Sequence, residues 1–254
     1  MKTLNLLLFC IFVLATAPAL AQTPSNADFD GSGTVDFPDF LQFAQAFGTT
    51  EALYDLDNSG TVDFADFLLF VQVFGSEAAP APAPITTLTE VVVQDIPADP
   101  NRQDVFTYYS LRDSAIVSPA DSNSTKWDIA FKGTTVLTNS GSSGPGEGGA
   151  IVLTATDYDT LSTAPESGYV QDQAGLPAIG RAWYTYTGPE GFPPHAILMN
   201  PGIVLVIRTA DGRYAKLKFT SYYKGGGAIP SAGAQSRFYN FTYTFQPDGT
   251  RSLR

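Results

Sequence analysis

Apolar and polar residues follow two different patterns along the chain. In its first third, phenylalanines and other apolar residues recur three and four positions apart in two stretches, 40–47 and 67–74. This spacing predicts two short amphipathic helices, and Gly48 and Gly75 are suited to end them. Beyond residue 86, β-branched and aromatic residues form short runs between turns, which predicts strands. The sequence therefore predicts a multidomain chain, a small α part followed by a mainly antiparallel β domain.

The predicted strands of the second part are short and numerous. The clearest pair, 203–209 and 214–222, flanks an Asp-Gly turn that is typical of a tight hairpin. Because no helical period of useful length interrupts these runs, we expect two packed sheets or one curled sheet. The glycine-rich stretch 141–149 lacks the ending of a phosphate-binding loop and is predicted to be a flexible or family-specific surface loop. The other predicted strands are 87–93, 105–111, 127–131, 150–154 and 238–245.

The start of the chain predicts export. Lys2 precedes an apolar run over 6–15, and residues 19–21 match a small-residue cleavage pattern, so we assign 1–21 to a signal peptide. The run is too short to span a bilayer, and an uncleaved anchor or a buried helix is the alternative. We therefore expect a protein that is secreted or held at the outer surface of a bacterial cell. Its mature chain would contain no cysteine, since Cys10 lies within the apolar run.

Charge is distributed unevenly between the two parts. The chain carries 25 acidic and 14 basic residues, a formal net charge of −11, which argues against a nucleic-acid partner. Residues 22–79 contain acidic residues but no Lys or Arg. An alternation of Pro and Ala follows, which is typical of an extended spacer. We therefore divide the mature chain into paired repeats at 22–75, a linker at 76–85 and a β domain at 86–254.

Two segments of the acidic part repeat with a period of 27 residues, and 15 of 21 aligned positions are identical. The first twelve residues of each copy place oxygen-bearing side chains at positions 1, 3, 5, 9 and 12, with glycine at position 6. Calcium takes six to eight oxygen ligands, and this spacing is typical of an EF-hand-type calcium loop, in which position 7 contributes its carbonyl. The predicted ligands are Asp28, Asp30, Ser32, Thr34, Asp36 and Asp39 in the first loop, and Asp55, Asp57, Ser59, Thr61, Asp63 and Asp66 in the second.

Two loop–helix repeats of this kind resemble a dockerin, the module that docks on cohesin in polysaccharide-degrading assemblies. Position 12 is Asp, as in dockerins, whereas positions 10 and 11 hold Phe37-Pro38 and Phe64-Ala65 instead of small polar residues. We expect Val35 and Val62 to pair the two loops through a short β contact. The helices are too short to be stable alone, so we also expect metal binding and folding to be coupled.

Five segments of the second part share one resemblance, namely Phe106–Leu111, Lys126–Phe131, Thr138–Ala150, Val206–Phe219 and Phe241–Phe245. Together they resemble the HmuY-like family of exported haem-binding proteins. The resemblance spans most of 86–246, and it implies a β-rich binding protein that captures haem, not an enzyme.

The candidate haem ligands are few. Family members hold the iron from both faces with two histidines or two methionines, whereas the mature chain has one of each, His195 and Met199. In an extended strand these two would lie about 13 Å apart on one face. The phenols of Tyr184 and Tyr186 are alternative iron ligands. His195 could also be an ordinary surface histidine or, less readily, a catalytic one.

Three classes of function remain open at this point. The first is a secreted calcium-binding protein that binds haem or a related ligand. The second is a docking or structural protein whose calcium repeats attach the β domain to another extracellular protein. The third is an enzyme with a dockerin-like tag, for which Asp157 and Asp159 are the only paired carboxylates that draw attention. We predict a binding protein without catalytic residues and without a membrane span.

Overall fold

The computed structural model describes residues 27–51, 53–57, 59–77, 85–231 and 233–254. The predicted signal peptide and most of the predicted linker lie outside the described residues. The described part has the predicted fold class, since two short helices precede a mostly antiparallel β domain. Neither helix of the described part has the length and hydrophobicity that crossing a membrane requires.

The two helices begin and end where their sequences direct. Helix α1 spans Phe37–Ala46 and helix α2 spans Phe64–Val73. Each begins after an aspartate, Asp36 or Asp63, in extended conformation at the N-cap. Gly48 and Gly75 follow the last turns with φ of +80° and +79°, a conformation that glycine adopts without strain. The prediction that these glycines end the helices is confirmed.

An aromatic core joins the two helices. Phe43 and Phe70 are each 1% exposed, and their rings stack with centroids 5.5 Å apart. Phe29, from the first loop, stacks on Phe70 at 5.9 Å, and Tyr54 packs against Phe29 at 4.7 Å. This small cluster is the only apolar core of the N-terminal part among the described residues. The predicted packing of phenylalanine faces is therefore observed.

The prediction that Val35 and Val62 pair the two loops through a short β contact is wrong, because each forms its backbone hydrogen bonds with other residues. Val35 exchanges backbone hydrogen bonds with Gly75 and Ser76, whose atoms lie 2.8 and 3.0 Å away. Val62 does the same with Gly48 and Thr49 at 2.8 and 2.9 Å. Each loop therefore pairs with the residues that follow the helix of the other repeat. The reason is that a turn with positive φ at each glycine redirects the chain beside the opposite loop.

The β domain contains eleven described strands in three antiparallel sheets. The strands are β1 Thr89–Pro97, β2 Thr107–Ser110, β3 Ala115–Val117, β4 Ile129–Lys132, β5 Thr135–Thr138, β6 Gly149–Leu153, β7 Tyr184–Tyr186, β8 Ile197–Met199, β9 Val204–Arg208, β10 Tyr214–Tyr223 and β11 Ser236–Gln246. A five-stranded sheet has the order β1-β11-β10-β9-β6, a four-stranded sheet has the order β3-β2-β4-β5, and β7 pairs with β8.

The main core lies between the two larger sheets. Phe131 of β4 packs against Tyr239 of β11 with ring centroids 4.5 Å apart. Tyr109 of β2 meets Phe241 of β11 edge to face at 5.6 Å. Such pairs bury large apolar areas and prefer tilted or edge-on geometry. The prediction of two packed sheets is therefore the one that the structure bears out, rather than one curled sheet.

The glycine-rich stretch 141–149 lies mostly at the surface, as predicted, but parts of its backbone pack closely on buried residues. A Cβ added to Gly144 would lie 2.2 Å from the Asn139 side chain, and one added to Gly148 would lie 2.6 Å from the Asn139 carbonyl oxygen. The Asn139 amide donates to the carbonyl oxygens of Ser124 and Trp127 at 2.8 Å each. Glycine is needed here because the backbone packs directly on a buried asparagine, which composition alone does not reveal.

Candidate metal and ligand sites

The first loop gathers its carboxylates into one cluster. Oxygens of Asp28, Asp30 and Asp39 lie within 4.8 Å of one another, and Asp39 is fully buried. Gly33, at position 6, has φ of +91° and donates its N–H to Oδ2 of Asp28 at 2.9 Å. The turn at this glycine folds the loop around the cluster. The residues that lie together are three of the predicted calcium ligands.

The other predicted ligands of the first loop surround this cluster. The Ser32 hydroxyl donates to the carbonyl oxygen of Thr34 at 3.1 Å, so the oxygens of positions 5 and 7 are neighbours. Oδ1 of Asp36, at position 9, is buried and has no hydrogen-bond partner in the protein. A buried carboxylate oxygen without a donor is costly, and a cation or a cation-bound water would remove that cost.

The second loop repeats the arrangement. Oxygens of Asp55, Asp57 and Asp66 lie within 4.8 Å of one another, and Asp55 and Asp66 are buried. Gly60 has φ of +102° and donates to Oδ2 of Asp55 at 2.8 Å. The contact between positions 5 and 7 is also repeated, because Ser59 donates to the carbonyl oxygen of Thr61 at 3.2 Å. Asp63 differs from Asp36, since its Oδ1 accepts the N–H of Ala65 at 2.7 Å.

The last aspartate of each loop also starts the helix. Oδ2 of Asp39 accepts the N–H of Asp36 at 2.8 Å, and Oδ1 accepts the N–H of Phe29 at 2.7 Å. Asp66 makes the equivalent bond to the N–H of Asp63 at 2.8 Å. A carboxylate at the third helical position satisfies a donor that the helix leaves free. Loop closure and the start of the helix therefore depend on the same side chain.

The electrostatics of the clusters favour a cation. Burial raises the pKa of Asp28 above its ordinary value, and the negative charge of Asp39 raises it further. Burial followed by the charge of Asp66 likewise raises the pKa of Asp55. No Lys or Arg occurs in residues 22–79 to offset these charges. A donor set made only of oxygens fits calcium, which prefers hard oxygen ligands.

The predicted haem ligands lie on the β7–β8 hairpin, but at different depths. Met199 is the cross-strand partner of Tyr184 and packs against the main core. His195 lies just before β8, is exposed and has φ of +56°. Its Nδ1 lies 2.5 Å from the hydroxyl oxygen of Tyr186. The structure therefore places His195 next to Tyr186. In the sequence analysis Tyr186 was only an alternative iron ligand.

The paired carboxylates Asp157 and Asp159 have structural partners. Oδ1 of Asp157 accepts the N–H of Asp159 at 2.8 Å, which closes a turn. Oδ1 of Asp159 lies 3.6 Å from the ammonium of Lys218. Asp157 and Lys218 also line a shallow surface depression of about 450 Å³.

Sequence reasoning missed several buried charged residues of the β domain. Asp128 is 6% exposed, and its two oxygens accept the N–H groups of Leu111 and Ala210 at 2.8 and 3.0 Å. Burial raises its pKa to about 6. The Lys216 ammonium is buried as well and donates to the carbonyl oxygens of Tyr158 and Leu161. These contacts join segments far apart in the chain, so no local sequence signal could have indicated them.

Comparison with known proteins assigns the second part of the chain. The model of the family described as HmuY protein matches residues 102–233, slightly more than half of the 254-residue chain. No curated protein matches. The apo HmuY analogue of Tannerella forsythia is 18% identical with a TM-score of 0.45, and the match covers 64% of this chain and 100% of that one.

Two further solved structures are similar to separate parts of the chain. A candidate HmuY-like heme binding protein from Bacteroides vulgatus is 16% identical with a TM-score of 0.38, and the match covers 62% of this chain and 91% of that one. A type II cohesin–dockerin domain from Bacteroides cellolosolvens is 31% identical with a TM-score of 0.20. That match covers 20% of this chain and 87% of the other.

Proposed function

The chain belongs to the HmuY family, and on that premise we propose that it is an exported binding protein, not an enzyme. Its β domain binds haem or a related ligand for uptake, and its N-terminal repeats bind two calcium ions. The proposed layout is a signal peptide at 1–21, the repeats at 22–75, a linker at 76–85 and the binding domain at 86–254. The family match carries the haem proposal, because it includes the whole β7–β8 hairpin.

The two carboxylate clusters support calcium as the metal of the repeats. Each cluster combines three aspartates within 4.8 Å with a glycine in the left-handed region at position 6. Mutual repulsion of such close charges makes the cation-free loop unfavourable, and a divalent ion bound between them reverses the sign of that interaction. Calcium would hold each loop closed and thereby fix the start of the helix that follows.

Haemin titration of the mature protein, residues 22–254, tests the haem proposal. We expect a saturable shift of the Soret band at one equivalent, and none when the protein is first unfolded in urea. The urea control separates a folded site from adsorption to apolar segments. Equal changes with folded and unfolded protein would contradict the proposal.

Calorimetry of the decalcified mature protein tests the calcium proposal. We expect two bound Ca²⁺ per chain, and weaker binding of Mg²⁺, because Mg²⁺ demands a tighter octahedral arrangement. A titration with no binding heat at any calcium concentration up to the millimolar range would contradict it.

A docking role for the repeats is a second candidate function, and one observation favours it. Apolar side chains at equivalent positions of the two repeats remain exposed to similar degrees, Phe37 at 60% and Phe64 at 61%. Leu41 and Leu68 follow at 45% and 49%. Solvent-exposed apolar side chains in a matched pattern are typical of a surface that contacts another protein. A dockerin-like module would use such a face to attach the β domain to an extracellular partner.

Binding of an immobilised type II cohesin module tests the docking candidate. Calcium-dependent binding that is lost in the double variant Phe37→Ser and Phe64→Ser is expected if this face docks. Leu176→Ser is the matched control, because Leu176 is 67% exposed on the β domain. Absence of binding by the unaltered protein would contradict docking on this class of partner and would leave the calcium proposal unaffected.

A further inference from the structure

The β7–β8 hairpin carries a side-chain pair with the chemistry of an iron site. Tyr186 is the cross-strand partner of Ile197, and Tyr184 is the partner of Met199. Because cross-strand partners and alternate residues share a face, these four side chains lie on the same side of the hairpin. The Tyr184–Met199 end packs on the main core, whereas Tyr186 is 53% exposed at the other end.

His195 completes the exposed end of this face. Its Nδ1 and the Tyr186 hydroxyl are 2.5 Å apart, and the two ring centroids are 6.0 Å apart. The chain contains one histidine and twelve tyrosines, and within the described residues the imidazole forms its phenol contact with Tyr186. Phe192 lies three residues before His195 in the segment that connects the two strands, and its aromatic ring is 89% exposed.

The connection between the strands holds His195 in place. Its N–H donates to the carbonyl oxygen of Gly188 at 2.8 Å, while φ of +56° is uncommon for a residue other than glycine. The Thr187 hydroxyl donates to the carbonyl oxygen of Pro193 at 2.7 Å and accepts the N–H of Ala196 at 2.8 Å. A Cβ on Gly191 would lie 2.3 Å from the Thr187 carbonyl oxygen, so the segment is closely packed. Binding groups are most effective when the surrounding structure fixes them in this way.

We propose that Tyr186 binds the ferric iron of haem from one side through its phenolate oxygen, with His195 as the acceptor of the phenolic proton. This inference rests on the proposed haem function and identifies the side chain that binds the haem iron. The O–H bond of Tyr186 breaks, its proton passes to Nδ1 of His195, and an O–Fe(III) bond forms as a water or hydroxide leaves the iron. The iron stays ferric throughout, so no oxidant or reductant is needed. Tyrosinate is an established axial ligand of protein-bound haem, and a base within hydrogen-bond distance removes the obstacle of the phenolic proton.

The placement of the other candidates favours Tyr186 over a two-sided site. Met199 is committed to packing against the core, and the Nδ1 of His195 is engaged by the Tyr186 hydroxyl. Two axial ligands must face each other across one iron, whereas His195 lies before β8 and Met199 is the last residue of that strand. A one-sided phenolate ligand needs only the exposed pair.

The test is a haemin titration of the mature protein with absorbance and resonance Raman readouts. We expect the iron–phenolate charge-transfer band and the Raman modes of a coordinated tyrosinate in the unaltered protein. Tyr186→Phe keeps the ring and removes the ligand, so it should abolish both signatures and weaken haemin binding by at least about tenfold. His195→Gln, which cannot take up the proton, should weaken both without removing the phenol.

Two control variants and three outcomes distinguish the assignment of Tyr186 as the iron ligand from the proposed haem function on which it rests. Tyr184→Phe and Met199→Leu should leave the tyrosinate signature intact, and far-ultraviolet circular dichroism should be unchanged in all four variants. If Tyr186→Phe binds haemin with an unaltered spectrum, the ligand assignment is wrong although haem binding stands. If His195→Gln alone abolishes binding, the imidazole is the ligand and the assignment is again wrong. If the absorbance of haemin shows no saturable change with the unaltered protein, both the proposed haem function and the assignment of Tyr186 as the iron ligand are overturned.

Discussion

Both parts of this protein bury aspartates that accept backbone N–H groups, but only the N-terminal repeats gather such aspartates into clusters. In the N-terminal repeats the buried Asp39 and Asp66 each belong to a cluster of three carboxylates. In the β domain Asp128 and Asp172 are single, and backbone N–H groups saturate them. A single buried carboxylate with donors is a structural link, whereas clustered carboxylates without a basic side chain need a cation. This difference is the reason for our proposal that the small part depends on metal, whereas the large part has an extensive core of its own.

Removal of calcium gives the sharpest test of this difference and the largest expected effect. In excess chelator we expect α1 and α2 to unfold, because ten-residue helices are marginal in water and their starts depend on the closed loops. Both tryptophans, Trp127 and Trp183, are buried in the β domain and report on it alone. Circular dichroism should therefore lose its helical signal while tryptophan emission stays constant. A helical signal that survives chelation would break the comparison.

Asp39→Asn should remove one calcium site and leave the other. The substitution takes one carboxylate from the first cluster, and it weakens the contact to Phe29 that closes the loop and the contact to Asp36 that starts α1. We expect calorimetry to find one ion where the unaltered protein binds two, with affinity at the altered site reduced by at least about tenfold. Glu51→Gln is the matched control, since Glu51 lies between the repeats and outside both clusters. Two unaltered sites in Asp39→Asn would exclude Asp39 as a ligand.

The β domain should respond to pH in the opposite direction from the calcium loops. Burial raises the pKa of Asp128 to about 6 from 3.8, so the folded state favours the protonated acid. The resulting stabilisation is present below about pH 4 and is lost as the pH rises through 6, an effect of about 3 kcal/mol. Calcium loops instead lose their ion as the pH falls, because protons compete for the carboxylates.

Urea unfolding followed by tryptophan emission measures the Asp128 effect. Between pH 4 and 7 the free energy of unfolding of the unaltered domain should fall relative to that of Asp128→Asn, whose amide does not titrate. Glu190→Gln, at an exposed position, should follow the unaltered protein. Parallel pH profiles for Asp128→Asn and the unaltered protein would show that Asp128 does not titrate in this range.

The smallest expected effect concerns the contact between the two parts. The Gln103 amide donates to the carbonyl oxygen of Gly60, the position 6 residue of the second loop, at 2.6 Å. Gln103→Ala should cost about 0.5–1.5 kcal/mol at this contact and lower calcium affinity at the second site only. Gln94→Ala, in β1, is the control. Equal affinity of both sites in Gln103→Ala would mean that the two parts are energetically independent.

The sequence correctly predicted those elements whose ends are set by residues close together in the chain. Gly48 and Gly75 marked the helix ends because positive φ is required there, and the Asp211-Gly212 turn between two β-rich runs marked the β9–β10 hairpin. The strands β3, β5, β7 and β8 were missed. Each has three or four residues, too few for an alternating pattern. β3 and β5 pair with the predicted strands β2 and β4, whereas β7 and β8 pair with each other.

The candidate sites show the same limit. The predicted calcium ligands of each loop fall within twelve consecutive residues, so their spacing alone was enough to predict them. The Tyr186–His195 pair depends on a hairpin that sequence reasoning did not predict, and its geometry became visible only with the register of β7 and β8. Asp128 was missed for a related reason, since its donors, Leu111 and Ala210, lie 17 and 82 residues away.

The crossed pairing of the repeats bears on how such a module can arise. The backbone that follows each helix forms hydrogen bonds with the loop of the other repeat. Gly48 and Thr49 pair with the second loop, and Gly75 and Ser76 pair with the first. Two copies of one ancestral repeat could complete each other as separate chains by the same contacts. Fusion into one chain turns that encounter into an intramolecular one, with an effective concentration in the millimolar range. The order of the repeats is then immaterial, and a chain with the second repeat placed first should form the same pair of loops.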